Sequence, residues 1–592
     1  MTEYLFLTEA TLPRLLWRTA WRKPTCIIGT WSFVSGSAGG FLHRLTDRLR
    51  QHGRVSDLVA DHADKLMYKD DIALIVGQDV FATNEKAIEA VFGFTGADSR
   101  FGRYALPYRH AVCNASIHRL LRAFHLRDIQ RFDPTARFSG IEPETLALHH
   151  ARFPDAPPLV IAGGQPARQL FNLFGAAAAL AISALWTLRR IRWNPPPAKT
   201  VMFGSDFNND YRDLELWRDL SDNLDQIVLV FRNAAMQAAG HELVRGWQSC
   251  NWNRGRFPIL QGLACLGMLG RDVLALLRSG ISLPPDLFRT LVGLPFHRAK
   301  FRGLLNLYRF RYFWDRADYN TDHIIRSQEI RAAGGQALGV MHGVVSIATV
   351  AHQVRYVDYD IYFAIGRYSY ERFLREKWPA AMRVYAIGTL ALTREEYRRL
   401  ALREPRKNIA FFIEPVVQGH ATLEVAARMA EALPDRKVYV NTKSKHLRGD
   451  YLRDMEAYCE RLPNFAIHRG RSYDLMFECG YVFSDASTLT AEAVQFGLCG
   501  LTLDLIGDRW KENLFRSFPV ISIFSAQEAI DTVTAIENGT LSYPRESYGD
   551  LIQLDGRTHF DIIRAALGLP VREEPHAALA FCPGPIEPIS GS

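Results

Sequence analysis

The chain lacks most of the features that announce a chemistry at once. Its eight cysteines are scattered without a single C-x-x-C pair, so neither a zinc site nor a disulfide framework is signalled, and a reducing cytosol is the expected compartment. His110, the His149-His150 pair and His352 stand at no metal-ligand spacing. No repeat period appears. The opening residues, MTEYLFLTEATLPRLL, carry acids early and show no basic n-region, apolar h-region or cleavage site, so no secretory signal is expected. One glycine-rich turn, residues 35–40 (SGSAGG), precedes the amphipathic stretch 41–50, but no full dinucleotide fingerprint follows it. It reads as a flexible turn or as a phosphate cradle at a helix N-terminus.

What is present belongs to an ordinary globular protein too long for one core. At 592 residues, 48% apolar and 23% charged, three or four domains are expected. A net charge of +8 favours anionic partners such as lipid headgroups or nucleotides without choosing among them. Residues 170–188 (LFNLFGAAAALAISALWTL) form a charge-free run of nineteen, flanked by Arg168 and by Arg189, Arg190 and Arg192. A bilayer crossing needs roughly 20 residues, and the many alanines make this run only weakly apolar. An embedded or interfacial helix is expected, with a core helix and a true span as alternatives. The prolines of residues 194–197 (NPPP) mark a stiff boundary. Residues 284–314 interleave Arg289, Arg298, Lys300, Arg302, Arg309 and Arg311 with Leu, Phe and Tyr, which suits either an anionic membrane surface or a solvated helix face. The last twenty or so residues, rich in Pro, Gly and Ser, read as a disordered tail.

Between residues 408 and 505 short apolar runs alternate with helical patterns. Strands are expected at 407–415, 437–443, 465–468, 481–484 and 500–504, and helices at 420–433 and 451–461. Alternation at this spacing predicts a parallel α/β sheet covered on both faces, whose ligand binds beyond the carboxyl ends of the strands. Those ends carry Glu414, Lys443, Lys445, His446 and the run from Ser484 through Asp485, Ser487 and Thr488 to Glu492. Ser487 and Thr488 fall where a strand turns into a helix, so hydroxyls and backbone N–H groups meet at a helix N-terminus. That place favours phosphate, and plain N-capping is compatible with it. Glu492, one turn on, is placed to accept from ribose hydroxyls. The two lysines and His446 would neutralise a leaving nucleotide, or else form a solvated basic loop.

A second α/β unit is expected over residues 200–395. Its first strand, 200–204, is followed by Asp206 and Asp210, and further strands are expected at 226–232, 357–366 and 384–388. A helix ending at Gly334-Gly335 leads into the strand ALGVM, which delivers His342-Gly343 at its carboxyl end. Glycine after histidine frees the backbone to turn. An imidazole with its ordinary pKa of about 6.5 suits removal of a proton from an acceptor hydroxyl; a histidine satisfied at a domain interface is the plainer alternative. Asp206 and Asp210 are the rival bases. The string Asp358-Tyr-Asp360 precedes its strand, at the end away from the cleft, and reads as a turn. No metal site and no cofactor are therefore expected.

The order of these motifs resembles the GT-B-fold transferases of bacterial surface polysaccharides and wall polymers. It is similar to the CDP-glycerol glycerophosphotransferases and to the capsule, polysialic-acid and Kdo transferases, over about residues 200–540. The resemblance implies His342 as general base, His446 beside the donor phosphates, and Ser487 with Thr488 on phosphate or nucleotide. Leu447 stands where the family has a proline.

The expected fold is α/β, with two facing Rossmann-like domains of GT-B type, an additional N-terminal α/β region and a disordered C-terminal tail. The expected division is an N-terminal region 1–165, an apolar helix and linker 166–198, an acceptor domain 199–400, a donor domain 401–570 and a tail 571–592. The implied function is transfer from a nucleotide-sugar or CDP-alcohol donor to a lipid- or glycan-linked acceptor in cell-surface polysaccharide synthesis. The expected setting is the cytoplasmic side of the inner membrane, peripheral to its anionic surface, without nucleic acid. The catalytic candidates are His342, Asp206 and Asp210. The donor-site candidates are Lys443, Lys445, His446, Ser484, Ser487, Thr488, Glu492 and Glu414, with Gly343 and Asp485 also in the cleft. A nucleotide-sugar 2-epimerase and an inactive scaffold of an assembly complex are the alternatives.

Overall fold

The structure is a computed structural model that describes residues 2–7, 11–28, 37–62, 65–66, 84–162, 168–208, 210–316, 319–341, 343, 354–401, 406–413, 419–442, 449–484, 487–505, 522–572 and 586–591. The apolar run of residues 71–80 (DIALIVGQDV), which reads as a strand, lies outside them. The chain divides into two compact units, Met1–Pro195 with Arg256–Gly303, and Pro196–Gly255 with Leu304–Ser592.

The first unit holds a four-stranded sheet of β1 (Glu3–Phe6), β2 (Thr25–Ile28), β3 (Ser56–Asp57) and β4 (Arg137–Ser139), in the order β3-β2-β1-β4. All its pairings are parallel. β1 and β2 are buried at every position, because a parallel sheet is covered on both faces. The 28-residue helix Ala105–Phe132 buries the lone His110. Its Arg119 is fully buried between Glu142 at 2.9 Å and Asp286 at 2.7 Å, since a buried guanidinium persists only when paired. His149, on the helix Pro143–Arg152, packs against Phe153, and burial pushes its pKa down to about 4. These are core histidines.

Residues 284–314 do not form one basic helix. They split into the helix Pro285–Leu305 and a strand, Tyr308–Asp315. The helix buries Leu287, Phe288, Leu291, Val292 and Arg298 against its own unit, and Arg298 stacks over the Tyr104 ring at 5.2 Å. The strand exposes Arg309 and Arg311 and buries Phe310 and Tyr312, the alternation of an entering strand. The apolar residues of this stretch are covered by protein, so the expected membrane surface is not here. Residues 256–303 also belong with the first unit, where the sequence had placed them in the acceptor domain.

The second unit contains two larger parallel sheets. The first comprises β5 (Lys199–Asp206), β6 (Ile227–Phe231), β7 (Gln248–Asn251), β8 (Tyr308–Asp315), β9 (Gln336–Val340), β10 (Ile361–Ala364) and β11 (Arg383–Ala386), in the order β11-β10-β9-β8-β5-β6-β7. The second comprises β12 (Asn408–Phe412), β13 (Val438–Asn441), β14 (Phe465–Ile467), β15 (Cys479–Ser484), β16 (Cys499–Leu503) and β17 (Ser522–Ile523), in the order β14-β13-β12-β15-β16-β17. Each order starts at its first strand, runs outward two strands, and returns to continue on the other side, as in a doubly wound Rossmann sheet. One contiguous core joins both sheets, from Phe203, Trp217 and Trp314 to Phe412, Val482 and Ile563. The C-terminal helix His559–Ala566 returns to the first sheet: Arg564 Nη1 donates to the Asp219 carbonyl, and Tyr312 donates to the Leu567 carbonyl at 3.2 Å. This is the GT-B arrangement, with an added N-terminal α/β sheet. The last described residues lie against edge strand β11, where Ser590 Oγ accepts from the Val384 N–H at 3.0 Å.

Candidate active site

In a doubly wound sheet the crevice opens where the strand order reverses. In the second sheet that point lies between β12 and β15, and the chain after β15 builds it. Ser484 ends the strand fully buried, its hydroxyl bonded to that of Thr490. Ser487 then caps the helix Thr488–Gln495, its side chain accepting from the Leu489 N–H at 3.3 Å. Ser487, Thr488 and Leu489 remain partly exposed; the Leu489 N–H is taken by the Ser487 hydroxyl and the Thr490 N–H by the Ser487 carbonyl, and an anion at this end meets the positive end of the helix dipole.

Glu492 is buried on the same helix. It accepts from the Thr389 hydroxyl, which follows β11, and from the Tyr473 hydroxyl at 2.9 Å. Burial raises its pKa, against the lowering effect of these two bonds and of Arg212. Both carboxylate oxygens are engaged by protein hydroxyls. Glu492 thus fastens one sheet to the other.

The first sheet reverses between β5 and β8. Asp206 ends β5 inside a buried ion cluster, with Arg232 at 3.2 Å and Arg326 at 3.6 Å. Arg326 also bonds Asp315, at the end of β8, and Asp322 at 3.2 Å, and lies over the Trp252 ring. Asp210 caps the helix Tyr211–Leu220, accepting from the Arg212 N–H at 3.0 Å, from the Arg212 guanidinium at 2.6 Å and from Arg316 at 2.7 Å. Burial works to raise its pKa, but the Arg212 hydrogen bond and the charges of Arg316 and Arg212 outweigh it and hold the carboxyl at about 2. A carboxylate that acidic is a weak base near neutral pH. One turn on, Asp213 is fully buried, with Arg316 at 3.3 Å. Burial, reinforced by the Asp210 charge and opposed by Arg316, pushes its pKa up to about 6.

The carboxyl edges of the two sheets meet. Gly343, which follows β9, lies against the Thr488 side chain: a Cβ on Gly343 would stand 2.7 Å from Thr488 Oγ1. Arg471, after β14, donates to the Tyr211 hydroxyl at 3.4 Å and pairs with Glu396 and with Asp474 at 3.1 Å. Arg212 stands near enough to Tyr473 and Glu492 for their charges to act on it. The structure therefore sets Gly343 against Thr488, places Ser484, Ser487 and Glu492 on one strand-to-helix turn, and links Asp210 to Glu492 through Arg212, with Asp206 in its own ion cluster. His342, Glu414, Lys443, Lys445, His446 and Asp485 lie outside the described residues. Asp358 and Asp360 pair with Arg331, and Asp360 also accepts from the Ala337 N–H at 2.7 Å.

Sequence reading missed Arg212, Asp213, Arg316, Thr389, Arg471 and Tyr473. The available signal was positional: Arg212 and Asp213 open the helix after the first strand of a Rossmann unit, and Thr389 follows the end of its last.

The chain matches no protein-family model, and no curated protein matches it. Among solved structures it is similar to the UDP-GlcNAc 2-epimerase from Neisseria meningitidis bound to UDP-GlcNAc, at 12% identity over 61% of this chain and 95% of that chain, with a TM-score of 0.38. It is also similar to the wall teichoic acid polymerase TagF, at 10% identity over 66% and 94% with a TM-score of 0.35. MurG of Acinetobacter baumannii is similar at 11% identity over 60% and 94%, with a TM-score of 0.34. Likeness at this level carries no statement about chemistry, which rests on the residues above.

Proposed function

We propose that the second unit is a transferase that moves a glycosyl, glycerophosphate or sugar-phosphate group from a nucleotide-activated donor to a hydroxyl acceptor. The reading that fits best places it in bacterial cell-surface polysaccharide synthesis, at the cytoplasmic side of the membrane, on a lipid- or glycan-linked acceptor. The observation that supports it is the contact of Gly343 with Thr488. It sets the residue after His342 against the helix N-terminus best suited to donor phosphate.

In this mechanism the donor phosphates lie at the N-terminus of the helix Thr488–Gln495, at the positive end of its dipole and beside the hydroxyls of Ser487 and Thr488. Lys443, Lys445 and His446 neutralise the nucleotide as it leaves. The acceptor hydroxyl gives its proton to the His342 imidazole as its oxygen bonds to the transferred group, and the bond from that group to the nucleotide phosphate breaks. The electron pair departs with the phosphate, whose added charge the helix end and the lysines stabilise. No cofactor or metal enters this scheme. Asp210, held near pKa 2 by two arginines, serves to anchor Arg212 and Arg316 rather than to take the proton.

A thermal-shift screen with CMP, CDP, UDP and GDP tests the donor half, because a ligand of the folded state raises its melting temperature in proportion to ln(1 + [L]/Kd). At least one nucleotide should stabilise the protein. A protein blind to all four would be a scaffold. A donor sugar epimerised in the absence of any acceptor would replace transfer by epimerisation.

A further inference from the structure

We infer that the helices Arg168–Arg190 and Ile259–Gly280 form a paired plate that lies in the plane of an anionic lipid bilayer and docks the protein on it. The two helices pack antiparallel. Asn172, near the start of the first, donates to the carbonyls of Ile281 and Leu283 just beyond the end of the second, both at 2.8 Å. At the other end the two-residue strands Ile191–Arg192 and Phe257–Pro258 pair side by side, and Ile191 packs on Gly262, leaving no room there for a Cβ.

The first helix is built inside out for water. Its buried positions are Asn172, Ala176, Ser183 and Thr187. The polar ones are satisfied locally: Ser183 donates to the Ala179 carbonyl and Thr187 to the Ser183 carbonyl at 2.8 Å, the back-bonding that polar residues use in apolar helices. Its outer positions are large and apolar, with Phe174 70% and Ile182 59% exposed. The second helix extends the surface through Leu260, at 80% exposed, and Leu263. Only four residues of the first helix and eight of the second are buried, so neither is a core helix. A contiguous apolar face of this size marks an interaction surface.

Charge selects the occupant. The only acid in the two helices, Asp272, turns inward to Arg103 and to the Tyr104 hydroxyl at 2.7 Å. The exposed charges are Arg189, Arg271 and Arg278. Arginines on the exposed face suit anionic headgroups, whereas a symmetric dimer through this face would set the same cations against each other. The orientation follows from Arg271. It is exposed at the middle of its helix, where a spanning helix about 33 Å long would carry it to the bilayer centre. Lying in the plane keeps it among the headgroups, while the helix Pro285–Leu305 covers the other side of the pair through the edge contact of Phe296 with Trp186.

The plate belongs to the first unit, and its test needs no turnover. Full-length protein should float with phosphatidylglycerol-containing vesicles and less with phosphatidylcholine alone. Phe174→Glu with Leu185→Glu, both at outward positions, should weaken that binding about tenfold or more while the circular-dichroism melt is unchanged. Orientation is read separately with Leu170→Trp and Ile182→Trp and brominated lipids: an in-plane helix gives the two positions equal quenching depth. Protein that ignores anionic vesicles, binding untouched by the double variant, or a dimer dissociated by it would overturn the docking surface. Deeper quenching at position 182 than at 170 would overturn the in-plane orientation and indicate a span.

Discussion

Gly343 packs so tightly on Thr488 that a methyl group on its Cα would stand 2.7 Å from the Thr488 hydroxyl oxygen. A carbon that close to an oxygen forces one of them to move, and the neighbour here is the side chain at the proposed phosphate site. Gly343→Ala should therefore lower turnover, and Thr488→Ala should remove the clash as well as one donor contact. Measured as a cycle, the two changes should be non-additive by about 0.5–3 kcal/mol. Additive effects would separate the two edges of the cleft.

His342→Ala should cost about 10²–10⁴-fold in turnover, the usual contribution of a general base, while nucleotide affinity changes little. Steady-state kinetics beside calorimetry reads both. Near-normal turnover in His342→Ala, together with inactive Asp206→Asn or Asp210→Asn, would return the base role to a carboxylate.

Asp206 lies in a buried cluster with Arg326 and Arg232, which should behave as a buried ion network. Arg326→Ala leaves Asp206 and Asp315 buried beside an emptied site, and removing one partner of a buried pair costs roughly 3–5 kcal/mol. Denaturant unfolding should show that loss. A stability change below about 1 kcal/mol would mean that the cluster is solvated.

Asp213 and Asp210 give opposite pH signatures. Asp213 rises from an ordinary 3.8 to about 6 on folding. Its contribution is fully present below the unfolded value and is lost as the pH rises through 6, because the unfolded chain releases its proton first. Asp210, held at about 2, contributes above 3.8 and loses that contribution as the pH falls through 2. Asp213→Asn should therefore flatten the stability profile between about pH 4 and 6, as followed by the urea midpoint. An unchanged slope would place its proton elsewhere.

The fold was legible because apolar runs such as β12 and β15 are short, bounded and spaced by helix lengths, and that pattern fixes a parallel sheet. The Ser487–Thr488 cap was legible because a strand and a helix meet within a few residues. The stretch 284–314 misled because basic and apolar residues interleave equally well on a helix face and on an entering strand, and only pairing with β5 decides for the strand at Tyr308–Asp315. Arg212, Asp213 and Arg316 were illegible for another reason. Their importance comes from a spatial meeting 103 to 106 residues apart in the chain, and nothing local marks Asp213 as the carboxyl whose pKa is raised. Glu492 was placed correctly on the helix, but its partners Thr389 and Tyr473 come from other elements, so its part in joining them was not legible.

The central claim is that an activated nucleotide binds at the N-terminus of the helix Thr488–Gln495. The direct measurement is calorimetric titration of the best-stabilising nucleotide into the parent and into Ser487→Ala with Thr488→Ala. The account predicts binding to the parent and a loss of about tenfold or more in the double variant, since hydrogen bonds to charged groups contribute about 1.5–3 kcal/mol each, while the free protein loses only the Ser487 cap, about 0.5–2 kcal/mol. Equal affinity in both proteins would contradict it, leaving Ser487 as a helix cap and nothing more.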